Sequence, residues 1–192
     1  MNEILRNEEM GLSDGLMLRV AGSGDIPAIR TLQALSIAIL QRGYLDDAQI
    51  EASRVSMGLD TQLIDDGTYF CVFDDETLVG CGGWSNRATL YGGDHSAGRS
   101  ARKLDPATDR ARIRAMYTHP DHARRGIGRS ILMASEFAAR NHGFKALEMA
   151  STEAGRPFYE RCGYAVENSF FDHNGGVAVP LYTMVKALTP VD

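Results

Sequence analysis

Cysteine is scarce in this chain of 192 residues, with only Cys71, Cys81 and Cys162. An odd, sparse set argues against a disulfide framework and for reduced thiols. No Cys-x-x-Cys pair or His/Cys cluster has the spacing of a metal centre, so no metal is expected. Long apolar runs are missing as well, and none approaches the length that spans a bilayer. Residues 1–14 contain no signal-like apolar segment. They begin a polar N-terminal extension, set at residues 1–16, expected to be frayed or partly helical. These features together predict a cytoplasmic protein with no membrane partner. Positive charge is not in excess either: the formal net charge is −5, which excludes wholesale nucleic-acid binding. Internal repeats and low-complexity tracts are absent.

What is present fits one domain of ordinary size. At this length roughly 70% of the unfolded surface should be buried, and 44% apolar residues supply the core. Strand-like alternation marks Met17–Val20, Tyr69–Phe73, Leu78–Trp84, Arg112–Thr118, Lys145–Ala150, Tyr164–Phe171 and Val177–Val185. Helical spacing marks Ile26–Gln41 (core face Ile29, Leu32, Ile37), Asp47–Met57, Asp60–Asp65, Ile127–Asn141 (Ile127, Ile131, Ala134, Ala138) and Pro157–Arg161. This order predicts an α+β, or mixed α/β, single domain. The polar stretch 85–109 exceeds a normal connection, so it is either a functional loop or a flexible one.

Positive charge is unevenly placed. Nine of the 20 lysines and arginines fall between Arg99 and Arg129, which points to a local anionic ligand. The densest part is His119-Pro120-Asp121-His122-Ala123-Arg124-Arg125-Gly126-Ile127-Gly128-Arg129-Ser130, between a predicted strand and a predicted helix. Glycine allows close backbone approach. The first N–H groups of a helix lack internal partners and favour anions. A phosphate-bearing ligand is therefore expected there, although an isolated Gly-x-Gly can be no more than a helix start. A dinucleotide fingerprint is excluded because Ile131 stands where its third glycine belongs. A P-loop is excluded by the missing four-residue spacer and by Gly128-Arg129-Ser130 in place of Gly-Lys-Ser/Thr.

Arg124-Arg125-Gly126-Ile127-Gly128-Arg129 after a strand and His119-Pro120 resembles the coenzyme-binding signature of the GNAT acyltransferases. Phe158-Tyr159-Glu160-Arg161-Cys162-Gly163-Tyr164, thirty residues on, resembles that family's second signature, and Pro180–Lys186 resembles its last strand. Three features depart from the pattern. Ala123 stands at the motif's opening Gln/Arg position, Thr152 stands where an Asn is frequent, and the 85–109 segment is long for the link between the third and fourth strands.

The resemblance implies one acetyltransferase domain over residues 17–188, with a central, mostly antiparallel, splayed sheet flanked by helices. It implies acetyl-CoA as cosubstrate. The amides of Arg125, Gly126, Ile127, Gly128, Arg129 and Ser130 would cradle the pyrophosphate, with Arg124, Arg125 and Arg129 adding charge-assisted bonds. The backbones of Met116, Tyr117 and Thr118 would pair with the pantetheine arm, and Thr152 would keep a hydroxyl contact. Tyr159 would protonate the leaving thiolate; its phenol is protonated at neutral pH. The partner would be a primary amine of a small molecule or a protein, and a homodimer is the default at this size. His95, His119, His122 and Glu148 are base candidates by residue type alone, and a water chain is the alternative. Trp84, Tyr44 and Tyr117 are candidate lining residues for an acceptor cleft between the first helices and the 85–109 insertion. A coenzyme A sensor without turnover and a transferase of longer acyl chains are competing readings.

Overall fold

The computed structural model describes Leu12 and residues 15–189; most of the polar extension set at residues 1–16 lies outside them. Seven strands form one sheet. They are β1 (Leu16–Val20), β2 (Tyr69–Asp74), β3 (Thr77–Ser85), β4 (Ala111–Thr118), β5 (Ala146–Thr152), β6 (Ala165–Asp172) and β7 (Val179–Ala187). Their order across the sheet is β1-β2-β3-β4-β5-β7-β6. Every pair is antiparallel except β4 and β5. The helices are α1 (Ile26–Leu40), α2 (Asp47–Ser53), α3 (Thr61–Asp65), α4 (Ile127–Asn141) and α5 (Arg156–Arg161). The predicted α+β single domain with a mostly antiparallel sheet is the fold observed.

The helices form where the apolar spacing places them. Ile29, Leu32 and Ile37 of α1 are buried. In α4, Ile127, Ile131 and Ala134 are buried, while Ala138 is half-buried and Ala139 takes the deeper place. The α4 helix stops at Gly143, whose φ of 88° suits a residue without a side chain. β3 carries glycine so that α4 can lie flat on the sheet. A methyl group at Gly80 would overlap Ile127, and one at Gly82 would overlap Met116.

The parallel pair β4–β5 holds together only at Ala111↔Leu147 and Arg112↔Glu148. Beyond that point the strands part, so the expected splay is present. Arg112 and Glu148 form an ion pair at the closed end, and Arg110 adds a bond to Glu148 at 3.3 Å. At the next level β4 bulges: Cys81 pairs with Tyr117 and Gly83 with Arg114, so Ala115 and Met116 share one partner residue. Ala115 takes a left-handed φ of 51°, a conformation that costs a non-glycine residue on the order of 1–2 kcal/mol. The buried Tyr69 hydroxyl donates to the Ala115 carbonyl at 2.7 Å and receives a bond from Gln33 Nε2 at 3.3 Å. This internal bond supports the bulge from below. Tyr69→Phe leaves that carbonyl without its donor and should lower the unfolding free energy by about 1–2 kcal/mol. Urea denaturation measures it, and an unchanged midpoint would remove Tyr69 as the support of the bulge.

Candidate active site

The glycine–arginine loop runs from the end of β4 into α4. Residues 120–122 form a single 3-10 turn; His119 Nδ1 accepts from the Asp121 amide at 3.2 Å. Arg124 and Gly126 both adopt left-handed φ values, 66° and 82°. Gly126 is the N-cap of α4, and the amides of Ile127, Gly128 and Arg129 follow as the free N–H groups of the first turn. The Ser130 amide is not one of them. It donates to the Gly126 carbonyl at 3.0 Å, and the Ser130 hydroxyl turns back to the same carbonyl at 3.2 Å. The predicted cradle is therefore one residue shorter than the sequence suggested, because the first intrahelical bond is already made at Ser130.

The three arginines separate by role. Arg125 reaches down to Asp74 at 2.6 Å, with His122 Nε2 3.5 Å from the same carboxylate. Arg125 therefore braces the loop against the β2–β3 turn, and its side chain does not line the cleft. Arg124 and Arg129 do line it, and neither forms an ion pair among the described residues.

The cleft in front of α4 has a volume of about 650 Å³. One wall is the β4 edge at Met116, Tyr117 and Thr118, which β5 has left unpaired. The other is α5 with Thr152 and Phe158. Ile127 contributes only backbone here, since its side chain is buried against Val72, Val79 and Ile131. The Thr152 hydroxyl accepts from the Gly155 amide at 3.2 Å, tying the end of β5 to α5.

A second cavity of about 150 Å³ lies on the other side of the splay. The two meet at a common wall of Met57, Met116, Tyr117, Thr152, Gly155 and Tyr159. Tyr159 is held by Phe158 and Tyr164, with ring centroids 5.0 and 6.0 Å away. Gly155 leaves room for its ring. Burial pushes the Tyr159 phenol well above its ordinary pKa, so it stays protonated. A neutral phenol thus stands on the wall shared by the larger cleft and the smaller cavity.

The acetyltransferase (GNAT) family model matches residues 37–164. The chain belongs to the GNAT acetyltransferase family. Among solved structures, a GCN5-related N-acetyltransferase from Rhodopseudomonas palustris superposes with a TM-score of 0.68 at 20% identity, covering 92% of this chain and 98% of its own. The PaiA N-acetyltransferase of Thermoplasma acidophilum, solved with coenzyme A, gives 0.61 at 15% identity, with 90% and 98% covered. YncA of Salmonella typhimurium, solved with acetyl-CoA, gives 0.59 at 17% identity, with 92% and 95% covered. No curated protein sequence matches the chain. No helix among the described residues is long and apolar enough to cross a membrane.

Within this acetyltransferase, none of the four base candidates lines either cavity. Glu148 is taken by Arg112 and Arg110. His95 lies against Gly58, with Nε2 3.1 Å from the Arg54 carbonyl. His119 and His122 order the loop. Trp84 is not a lining residue: it is 1% exposed, in the core with Leu132, Ala139 and Phe144, because strand alternation turns it under α4. Tyr44 lines the larger cleft and Tyr117 both. The Tyr117 hydroxyl accepts from the Gly58 amide at 3.2 Å.

Residues 86–110 dock on the α2–α3 segment. Arg114 of β4, buried, pairs with Asp60 at 2.9 Å and donates to the Thr89 and Gly92 carbonyls at 2.9 and 2.6 Å. Arg99 closes on the same Asp60 and on Asp94 at 3.1 Å. Arg87 grips Asp66 through two bonds of 2.6 and 2.7 Å. Leu90, Tyr91 and Gly92 are thereby fixed as a wall of the small cavity. The sequence reading set an acceptor cleft against the 85–109 insertion without naming these residues, and it missed Asp172, which ends β6 and lines the same cavity; Asp172 precedes His173-Asn174-Gly175-Gly176, which reads only as a hairpin turn. Asp60→Ala strands two arginines and should cost about 3–5 kcal/mol. It should also expose residues 86–110 to limited proteolysis. Wild-type stability with wild-type protection would refute the anchoring role of Asp60.

Proposed function

We propose that this chain transfers the acetyl group of acetyl-CoA to a primary amine, of a small molecule or a protein, by direct attack within a ternary complex. The observation that carries this reading is the shared wall: a long cleft suited to the donor and a small pocket suited to the acceptor meet at a wall that includes Tyr159. Several features support the donor side. The amides of Gly126, Ile127, Gly128 and Arg129 are oriented for pyrophosphate, with the dipole of α4 behind them. Arg124 and Arg129 are placed to add charge-assisted bonds, and the Arg125 amide precedes the turn while its side chain braces it. The open edge at Met116, Tyr117 and Thr118 suits an extended arm carrying its own amides, taken up as an added strand. Thr152 closes the far side.

In the reaction, the neutral amine nitrogen attacks the thioester carbonyl and a C–N bond forms. Collapse of the tetrahedral species breaks the C–S bond. The departing sulfur takes the phenolic proton of Tyr159, which solvent restores, and the amine's surplus proton leaves to water. A thioester has a good leaving group, so positioning carries much of the rate. Removing one general acid should therefore cost about 10²-fold, the lower end of the usual range.

Thiol release from acetyl-CoA over a panel of amines tests the reading. Turnover should require an amine. Tyr159→Phe should lower kcat about 10²-fold while leaving the affinity for acetyl-CoA nearly unchanged. Unaltered kcat would place the proton donor elsewhere. Coenzyme binding without transfer to any amine would favour a sensor.

A further inference from the structure

The acceptor pocket has a charged end. Asp172 lines it and is only 5% exposed. One carboxylate oxygen accepts from the Asn174 amide at 3.2 Å. Among the described residues no cation pairs with this carboxylate, although burying an unpaired charge is costly. The other ionised group on the pocket wall is Arg114, and its guanidinium is already committed to Asp60 and two carbonyls. The pocket therefore presents one uncompensated negative charge. Beside it stands Tyr91, whose phenol is raised by burial and by the charge of Asp172. The Tyr91 ring packs on Phe170 at 5.8 Å. A buried carboxylate with aromatic rings nearby is a setting for an ammonium group.

The turn that carries Asp172 is held in place. Gly175 presses on Ala52 so closely that no side chain fits there. Asn174 donates to Ser56 at 3.1 Å, and Gln49 donates to the Ala178 carbonyl at 3.0 Å. The position of the carboxylate relative to the reaction centre follows from register. Thr152 pairs with Leu181, and Asp172, on the far side of β7, pairs with Val179, two residues earlier on that strand. At ordinary strand spacing, the Cα atoms of Thr152 and Asp172 lie on the order of 12 Å apart. The two residues thus stand at opposite ends of the pocket wall, on strands separated by β7. That separation suits the remote end of a short chain.

We propose that the acetyl acceptor is an amine bearing a second positive charge, and that Asp172 holds that second charge while the first nitrogen reaches the thioester. This specificity rests on the acetyl-transfer reading above.

The test compares cadaverine with n-pentylamine and δ-aminovalerate, which share a chain length and differ in the remote group. At saturating acetyl-CoA, kcat/KM for cadaverine should exceed that for pentylamine by about 10- to 100-fold, as for a hydrogen bond to a charged group. Aminovalerate should be the poorest. Added salt should narrow the gap. Asp172→Asn keeps an acceptor for the Asn174 amide. It should erase the preference by raising KM for cadaverine toward the value for pentylamine. Equal use of all three by the wild type would overturn the proposal, and so would a fall in kcat for every amine in Asp172→Asn, which would make Asp172 a base. Calorimetric titration of cadaverine into the protein with coenzyme A separates the two claims. Asp172-dependent binding with no turnover would overturn acetyl transfer and support the anchor; neither binding nor turnover would overturn both.

Discussion

β4 cannot stay paired along its whole length with β5, and the rest of the site depends on that failure. The two strands share two residue pairs, clamped by Arg112 and Glu148, and then separate. The bulge at Ala115 and Met116 follows three residues beyond the last residue paired with β5, Arg112, and the Tyr69 hydroxyl holds the Ala115 carbonyl. A paired sheet would leave no backbone groups for a ligand. A splayed one leaves the edge at Met116–Thr118 open, with α4 starting where that edge ends. The strain of one left-handed alanine is kept because a buried hydrogen bond and a close-packed, glycine-lined β3 leave β4 no alternative path.

From the splay follow two compartments with different chemistry. One end of the outer one is made by local sequence: a loop with two left-handed residues, free helix amides and two arginines facing the cleft. The inner one is made by distant segments. The α2–α3 segment, residues 90–92, β4, β5 and the β6–β7 turn converge on about 150 Å³. Buried ion pairs around Asp60 hold those segments in register, and hydrogen bonds from Asn174 and Gln49 seat the β6–β7 turn on α2. Tyr159 belongs to both compartments, kept neutral by burial.

This division also explains what could be read in the sequence. The shape of the loop was legible because its parts are neighbours in sequence: glycines, arginines and the first turn of α4. The helices and strands were legible from apolar spacing, with boundaries shifted by a few residues. The bulge was not, since nothing marks Ala115 as left-handed; the cause lies in Tyr69, on another strand. Arg125 and Ser130 were assigned by position in the motif, and only the fold shows Arg125 reaching Asp74 and Ser130 closing the first turn of α4. The long 85–109 stretch looked as compatible with mobility as with function, because Asp60, its anchor, sits outside it. Asp172 was hidden by its turn context.

The central claim is that the open β4 edge and the start of α4 together receive the donor. Hydrogen exchange measured by mass spectrometry, with and without acetyl-CoA, tests it most directly. Acetyl-CoA should slow exchange in peptides covering residues 113–118 and 124–129, and leave the β1 edge unaffected. Protection confined to other segments, or no protection at ligand concentrations that saturate binding, would contradict the account.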